Sequence, residues 1–259
     1  MTTAQKAVTT VVAVILVGIA LLVIVVIADS PRDGRVGDEP VASSVDEMTY
    51  DEDVTALDVR ADSGTVTIRP SEDDRVHIER SLAWGTGDTV AGQTWDGTVL
   101  LVDGRCEGAC DAAYLITVPA GTAVSVTATS ATVDISGVGG AVTAHVASGR
   151  LLVDDVTGPQ RLTVESGELI ATRLGSADVR AEATSAHAAL DFTVPPSTLD
   201  STVNSGDLTI TVPRSPDGYR LDFVISSGDH SVTGVDENPA SAHAITARAT
   251  SAHVSVTGT

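Results

Sequence analysis

A serine followed by a glycine or an alanine marks the same place in a repeated pattern at Ser63, Ser130, Ser148, Ser166, Ser185, Ser205, Ser227 and Ser251. Apolar residues stand two, four and six positions before each serine and three and five positions after it. Around Ser148 these are Val146, Ala144, Val142, Leu151 and Val153. Thr, Arg, Asp, Glu and Ser fill most of the positions between. Alternation with a period of two on both sides of a fixed point describes a β-strand that bends at the serine. Only Gln160, Ser201 and His230 interrupt the apolar columns. The corner serines from Ser130 to Ser185 are spaced 18, 18 and 19 residues apart, and the spacing then widens to 20, 22 and 24. A near-fixed period that restores one residue at each corner predicts an all-β, parallel β-solenoid, each coil resting on the last at about 4.8 Å. A β-sandwich also spaces its strands regularly, but it has no reason to restore that residue. A second corner falls near Val138-Gly-Gly140, Val156-Thr-Gly158 and Leu174-Gly175, and later at Val194-Pro195 and Val212-Pro213.

The residue after the serine is glycine at 149, 167, 206 and 228 but alanine at 131, 186 and 252. Alanine would be costly if every corner needed a positive φ, so the sequence predicts a demand for small size instead. The expected core is thin, because aromatic residues make up only 3% of the chain. The formal net charge is -20 and Lys6 is the only lysine. Such a surface excludes nucleic acid as a partner, since binding its phosphates needs a basic patch.

An apolar run from Val8 to Ala28 is about as long as a bilayer-spanning helix, roughly 20 residues. It divides the chain into a stub (1–7), a transmembrane helix (8–28), an acidic flexible linker (29–53) and a β-repeat ectodomain (54–259). Lys6 on one side and Asp29, Asp33, Asp38 and Glu39 on the other orient the helix as a single-pass signal-anchor in the cell membrane, with the repeats extracellular. The alternative is a signal peptide cleaved near Val26-Ile-Ala28, which releases a secreted protein.

Ser63 and Ser130 are too far apart for one coil, so residues 70–121 form an insertion with strands near 75–81, 98–102 and 114–118. It holds Cys106 and Cys110, which an oxidising compartment would close into a local disulfide. It also holds Trp84 and Trp95, either an exposed binding edge or a lid on the end of the solenoid. Past Val256-Thr-Gly-Thr259 nothing caps the other end, which predicts self-association through the C-terminal coil.

The chemistry-bearing motifs are sparse. Gly-x-Ser-x-Gly, His-Glu-x-x-His and a phosphate-binding loop are all missing from the sequence, so the chain is read as a non-enzyme with no cofactor. Two residues past each corner, Glu168, His187 and Asp207 fall on consecutive coils. A carboxylate–imidazole–carboxylate column could hold a divalent cation. The plainer reading, which assigns no metal, is a solvated ladder of ion pairs that also takes in Arg150.

The apolar start, the Ser-Gly corner before a Val-x-Ile arm, the insertion with Cys-x-x-x-Cys, and Tyr114-Leu-Ile-Thr-Val-Pro-Ala-Gly121 together resemble the bacterial putative-adhesin β-strand-repeat family, a family of unknown function. The resemblance runs from about Ala56 to the C-terminus and implies a surface β-repeat protein. It brings no catalytic residues. The expected function is a membrane-anchored, extracytoplasmic adhesion or binding module for an envelope polymer or protein. Two alternatives are a self-assembling structural envelope protein and, less in keeping with the small side chains, a polysaccharide-active β-helix enzyme.

Overall fold

Every second side chain of each repeat has to leave water, and the strands do this by folding back on themselves at the serine. The computed structural model describes residues 42–84, 92–105 and 110–259; the expected membrane span Val8–Ala28 and Cys106 lie outside them. The described residues contain thirteen strands in one sheet and no helix. Eight strands are bent coils carrying one corner serine each: β2 (Ala56–Pro70), β7 (Ala123–Ser136), β8 (Val142–Asp154), β9 (Gln160–Leu174), β10 (Asp178–Phe192), β11 (Thr198–Val212), β12 (Arg220–Thr233) and β13 (Ala244–Gly258). They pair in parallel, serine against serine, from Ser63↔Ser130 through Ser148↔Ser166 to Ser185↔Ser205. The β-solenoid expected from the spacing is therefore the architecture of the repeat region.

Inward side chains from both arms of every coil merge into one apolar cluster running from Val54 to Val256. The second corner adds Val138, Val156 and Leu174, all fully buried. Two of the three column misfits are accommodated inside. Gln160 is buried and donates from Nε2 to the Val156 carbonyl (3.4 Å). Ser201 is buried and donates from Oγ to the Thr246 carbonyl (3.0 Å). His230 is exposed and stacks on Phe223, with ring centroids 4.5 Å apart.

The corners correct the expectation that small size alone is required. Gly64, Gly149, Gly167, Gly206 and Gly228 all have φ between 101° and 133°. Ala131, Ala186 and Ala252 are not among the positive-φ residues and turn their methyl groups into buried sites. Two corner conformations coexist, and each residue type marks its own. A Cβ on any of the five glycines would lie 1.9–2.1 Å from the corner carbonyl oxygen of the neighbouring coil.

The order of the coils in space differs from their order in the chain at both ends. β13 lies between β11 and β12, paired to Thr198–Val212 on one edge and to Arg220–Thr233 on the other. The C-terminal coil is thus interior, and the open end belongs to β12, contrary to the expectation of an uncapped C-terminus. The seven residues 213–219 carry the chain past the place β13 takes, which accounts for the widened spacing there. Tyr219 secures this crossing: its hydroxyl donates to the Pro213 carbonyl (2.6 Å), and burial pushes its pKa up to about 12.

At the other end β2 is the interior coil. β7 pairs with one edge of it, while β5 (Val99–Gly104) covers its first arm and β6 (Cys110–Val118) its second. β5 and β6 act as the two arms of a further coil, pairing with β2 on either side of its corner serine. There Ser63 Oγ donates to the Cys110 carbonyl (2.5 Å). Antiparallel strands then extend each arm. β4 (Gly92–Asp96) pairs with β5, and β3 (Val76–Trp84) pairs with β6 and with β1 (Ala42–Tyr50).

β1 falls within the stretch 29–53 that composition marks as a flexible linker, and over 42–50 that expectation is corrected. Met48 and Tyr50 pack against the core, and Arg80 donates to Asp46 from Nη2 (2.7 Å) and Nε (3.3 Å). The Arg80 guanidinium holds the Asp46 carboxyl below its ordinary pKa. Cross-strand partners thus order a segment whose own apolar content is low.

Candidate functional site

Outward side chains of a stacked sheet fall into straight columns, one rung apart, so their chemistry is set by which coils are neighbours. The column two residues past the corner begins Thr65, Thr132, Arg150, Glu168, His187, Asp207. Because β13 intervenes, it ends His253, Asp229 rather than Asp229, His253. From Arg150 onward, cationic or imidazole side chains alternate with carboxylates. Arg150 Nε lies 2.7 Å from Glu168 Oε2, His187 Nδ1 3.1 Å from Asp207 Oδ2, and His253 Nδ1 2.6 Å from Asp229 Oδ1.

In chain order Asp207 and Asp229 would be adjacent, as would Asp200 and Asp222 five residues before their corners. The transposition puts His253 between the first pair and Thr246 between the second. Arg248 also pairs with Asp200. Like charges directly opposite each other destabilise a sheet, so this strand order suits an acidic chain. His253 and Asp229 would be neighbours in either order; what the transposition changes is that Asp207 gains His253 as its neighbour in place of Asp229.

Glu168, His187 and Asp207 occupy consecutive rungs as expected, but they do not converge. Glu168 turns to Arg150 and His187 turns to Asp207. Side chains in line at about 4.8 Å intervals present a row of partners rather than a coordination shell. Among the described residues, no group of three or more His, Cys, Asp or Glu side chains is gathered as a metal site would need. These pairs are mostly exposed, with His187 72% and Asp207 58% accessible, so each contributes little stability.

The two tryptophans do not share a surface. Trp84 ends β3 opposite Ala42 and Cys110, near the corner side, and packs against the core. Trp95 lies on β4 and meets Tyr50 edge to face, with ring centroids 5.4 Å apart. Tyr50 stands at the far end of β1, eight residues from Ala42 and so roughly 26 Å along the strand. The Tyr50–Trp95 contact ties the outermost strands of the two arms together across the end of the core. The insertion therefore adds strands to both arms, where a single lid or binding edge was one expectation.

Residues 115–258 match the Toastrack DUF4097 family. The chain belongs to that family. This agrees with the putative-adhesin β-repeat resemblance, although the match starts at β6 and not at Ala56. The Toastrack coils β7–β13 lie wholly within it. Solved structures with similarity to the chain include a putative cell adhesion protein from Clostridium sporogenes ATCC 15579 (9% identity, TM-score 0.37, covering 84% of this chain and 100% of that one). A putative adhesin from Bacteroides fragilis NCTC 9343 is 10% identical with a TM-score of 0.33, over 83% of this chain and 97% of that one. One from Parabacteroides merdae ATCC 43184 is 10% identical with a TM-score of 0.34, over 84% and 96%. No curated protein matches the chain.

Proposed function

We propose that this Toastrack chain is a non-catalytic, extracytoplasmic adhesion or binding module, held at the membrane by a single helix over Val8–Ala28. The observation that carries the reading is the register of the coils. Two arms of stacked strands display outward side chains in unbroken columns, repeating at about 4.8 Å, along which an extended polymer or a partner's surface can lie. The acidic stretch after Ala28, up to β1, serves as the spacer from the membrane. A disulfide between Cys106 and Cys110, formed in an oxidising compartment, belongs to this reading.

The test uses the full-length protein in its native membrane. Protease added to intact cells is expected to release fragments of residues 42–259, and alkylation without reduction followed by trypsin is expected to return the peptide 106–150 with neither Cys106 nor Cys110 alkylated. Purified envelope polysaccharide and peptidoglycan are then tested for retention of the protein. Replacing Arg150, Glu168, His187 and Asp207 together by alanine is expected to weaken that retention at least tenfold while leaving the melting temperature nearly unchanged. A chain protected from protease until cells are lysed would contradict the proposed location. Retention that ignores the four substitutions would contradict the proposed surface.

A further inference from the structure

We propose that a second copy of this chain docks on β12, edge to edge and antiparallel, so that two solenoids join end to end. This goes beyond the binding role above and stands independently of it. β12 pairs with β13 along one edge only, and among the described residues nothing pairs with its other edge over Arg220–Thr233. Its inward side chains are also incompletely covered. Leu221, Phe223, Ile225 and Val232 are half-buried, whereas Ile245, Ala247, Ala249 and Val256 at the same places on β13 are buried. Val224 is 53% exposed on the outer side. A long edge with an open apolar end is the feature that sheet proteins usually block with charges, proline or a short strand.

The sequence of β12 selects its occupant. Because the strand bends at Ser227–Gly228, a two-fold axis through that corner lays each arm of one copy on the opposite arm of the other. In this register Phe223 faces the second copy's Val232, Ile225 faces its His230, and Leu221 faces its Gly234. Phe223 and Ile225 thus meet residues of the second copy's inward column, Leu221 reaches the bend at Gly234, and the exposed ends of the two cores close on each other. On the outer side Asp222 faces Thr233, Val224 faces Ser231, and Ser226 faces Asp229. No carboxylate opposes a carboxylate, which matters for a chain of net charge -20.

The edges at the other end lack these properties. The same operation on β1, a nine-residue strand centred on Asp46, would place Asp46 against Asp46 of the second copy, and β4 is only five residues long (Gly92–Asp96). Charge protects the one and shortness the other, while β12 has a self-complementary pattern.

Light scattering of the full-length protein in detergent, after chromatography and corrected for bound detergent, tests this. The expected protein mass is that of two copies of the 26.4 kDa chain. The double variant Val224→Asp, Ser231→Asp places carboxylates opposite each other twice per interface. It is expected to weaken dimerisation at least tenfold with an unchanged circular dichroism spectrum, since both side chains point outward. Val224→Lys with Ser231→Asp pairs opposite charges at the same places and should restore the dimer. A wild-type mass of one chain overturns the proposal. So does a dimer that survives Val224→Asp, Ser231→Asp, because association would then run through another surface.

Discussion

Gly167→Ala is expected to destabilise the solenoid by about 3 kcal/mol or more, whereas Ala186→Gly at the next corner should cost only about 1 kcal/mol. The two positions are register partners on β9 and β10 and look interchangeable in sequence. Gly167 has φ 126°, and a Cβ there would lie 1.9 Å from the Gly149 carbonyl oxygen. Alanine must therefore pay for a disfavoured backbone and also push two stacked coils apart, and backbone atoms cannot swing away as a flexible side chain could. Ala186 needs no positive φ and is 3% exposed, so glycine there loses one buried methyl and gains chain entropy in the unfolded state. For a repeat region of this size the first change should lower the melting temperature by roughly 6–12 °C and the second by a few degrees. Thermal melts of the two variants check this. Equal, small shifts would mean that the corners are conformationally alike.

Truncation after His243 has the second large expected effect. It removes β13 and with it the buried Ile245, Val254 and Val256, whose burial contributes on the order of 5 kcal/mol before the buried Ala247, Ala249 and Ala252 are considered. It also strips β12 of its one paired neighbour and opens the edge of β11. Hydrogen exchange should then show Arg220–Thr233 losing protection along with the exposed side of Thr198–Val212, while β8 and β9 stay protected. Had the coils stacked in chain order, the same truncation would peel off a terminal rung and leave β12 still paired with β11.

The repeat was legible because every coil restates one alternation around one corner, and a pattern with that redundancy survives Gln160, Ser201 and His230. The transposition at the C-terminal end was not, because β12 and β13 carry the same pattern and either could occupy the end. The clues were physical and lay in the sequence all along. The connections lengthen to corner spacings of 22 and 24 residues, β12 offers the bulkier inward set Leu221, Phe223 and Ile225, and chain order would set Asp207 beside Asp229. β1 escaped because its order comes from β3 and Arg80, which are distant in sequence. The column of Glu168, His187 and Asp207 was placed correctly as a column, since register alone fixes it. Which neighbour each side chain turns to depends on rotamers that no spacing encodes. The tryptophans were grouped together because they share an insertion, yet that insertion divides between two arms.

Disulfide mapping of three engineered cysteine pairs tests the strand order most directly. Thr209, Ser255 and Ser231 lie at one level on the same outer face, with Thr209↔Ser255 and Ser231↔Ser255 as register partners. Thr209→Cys with Ser255→Cys, and Ser231→Cys with Ser255→Cys, should each oxidise to an intramolecular disulfide, since adjacent strands lie about 4.8 Å apart. Thr209→Cys with Ser231→Cys should stay reduced, because two rungs separate those positions by roughly 9.6 Å, beyond the reach of a disulfide at about 7 Å. A cross-link between positions 209 and 231, with none between 209 and 255, would contradict the order β11–β13–β12.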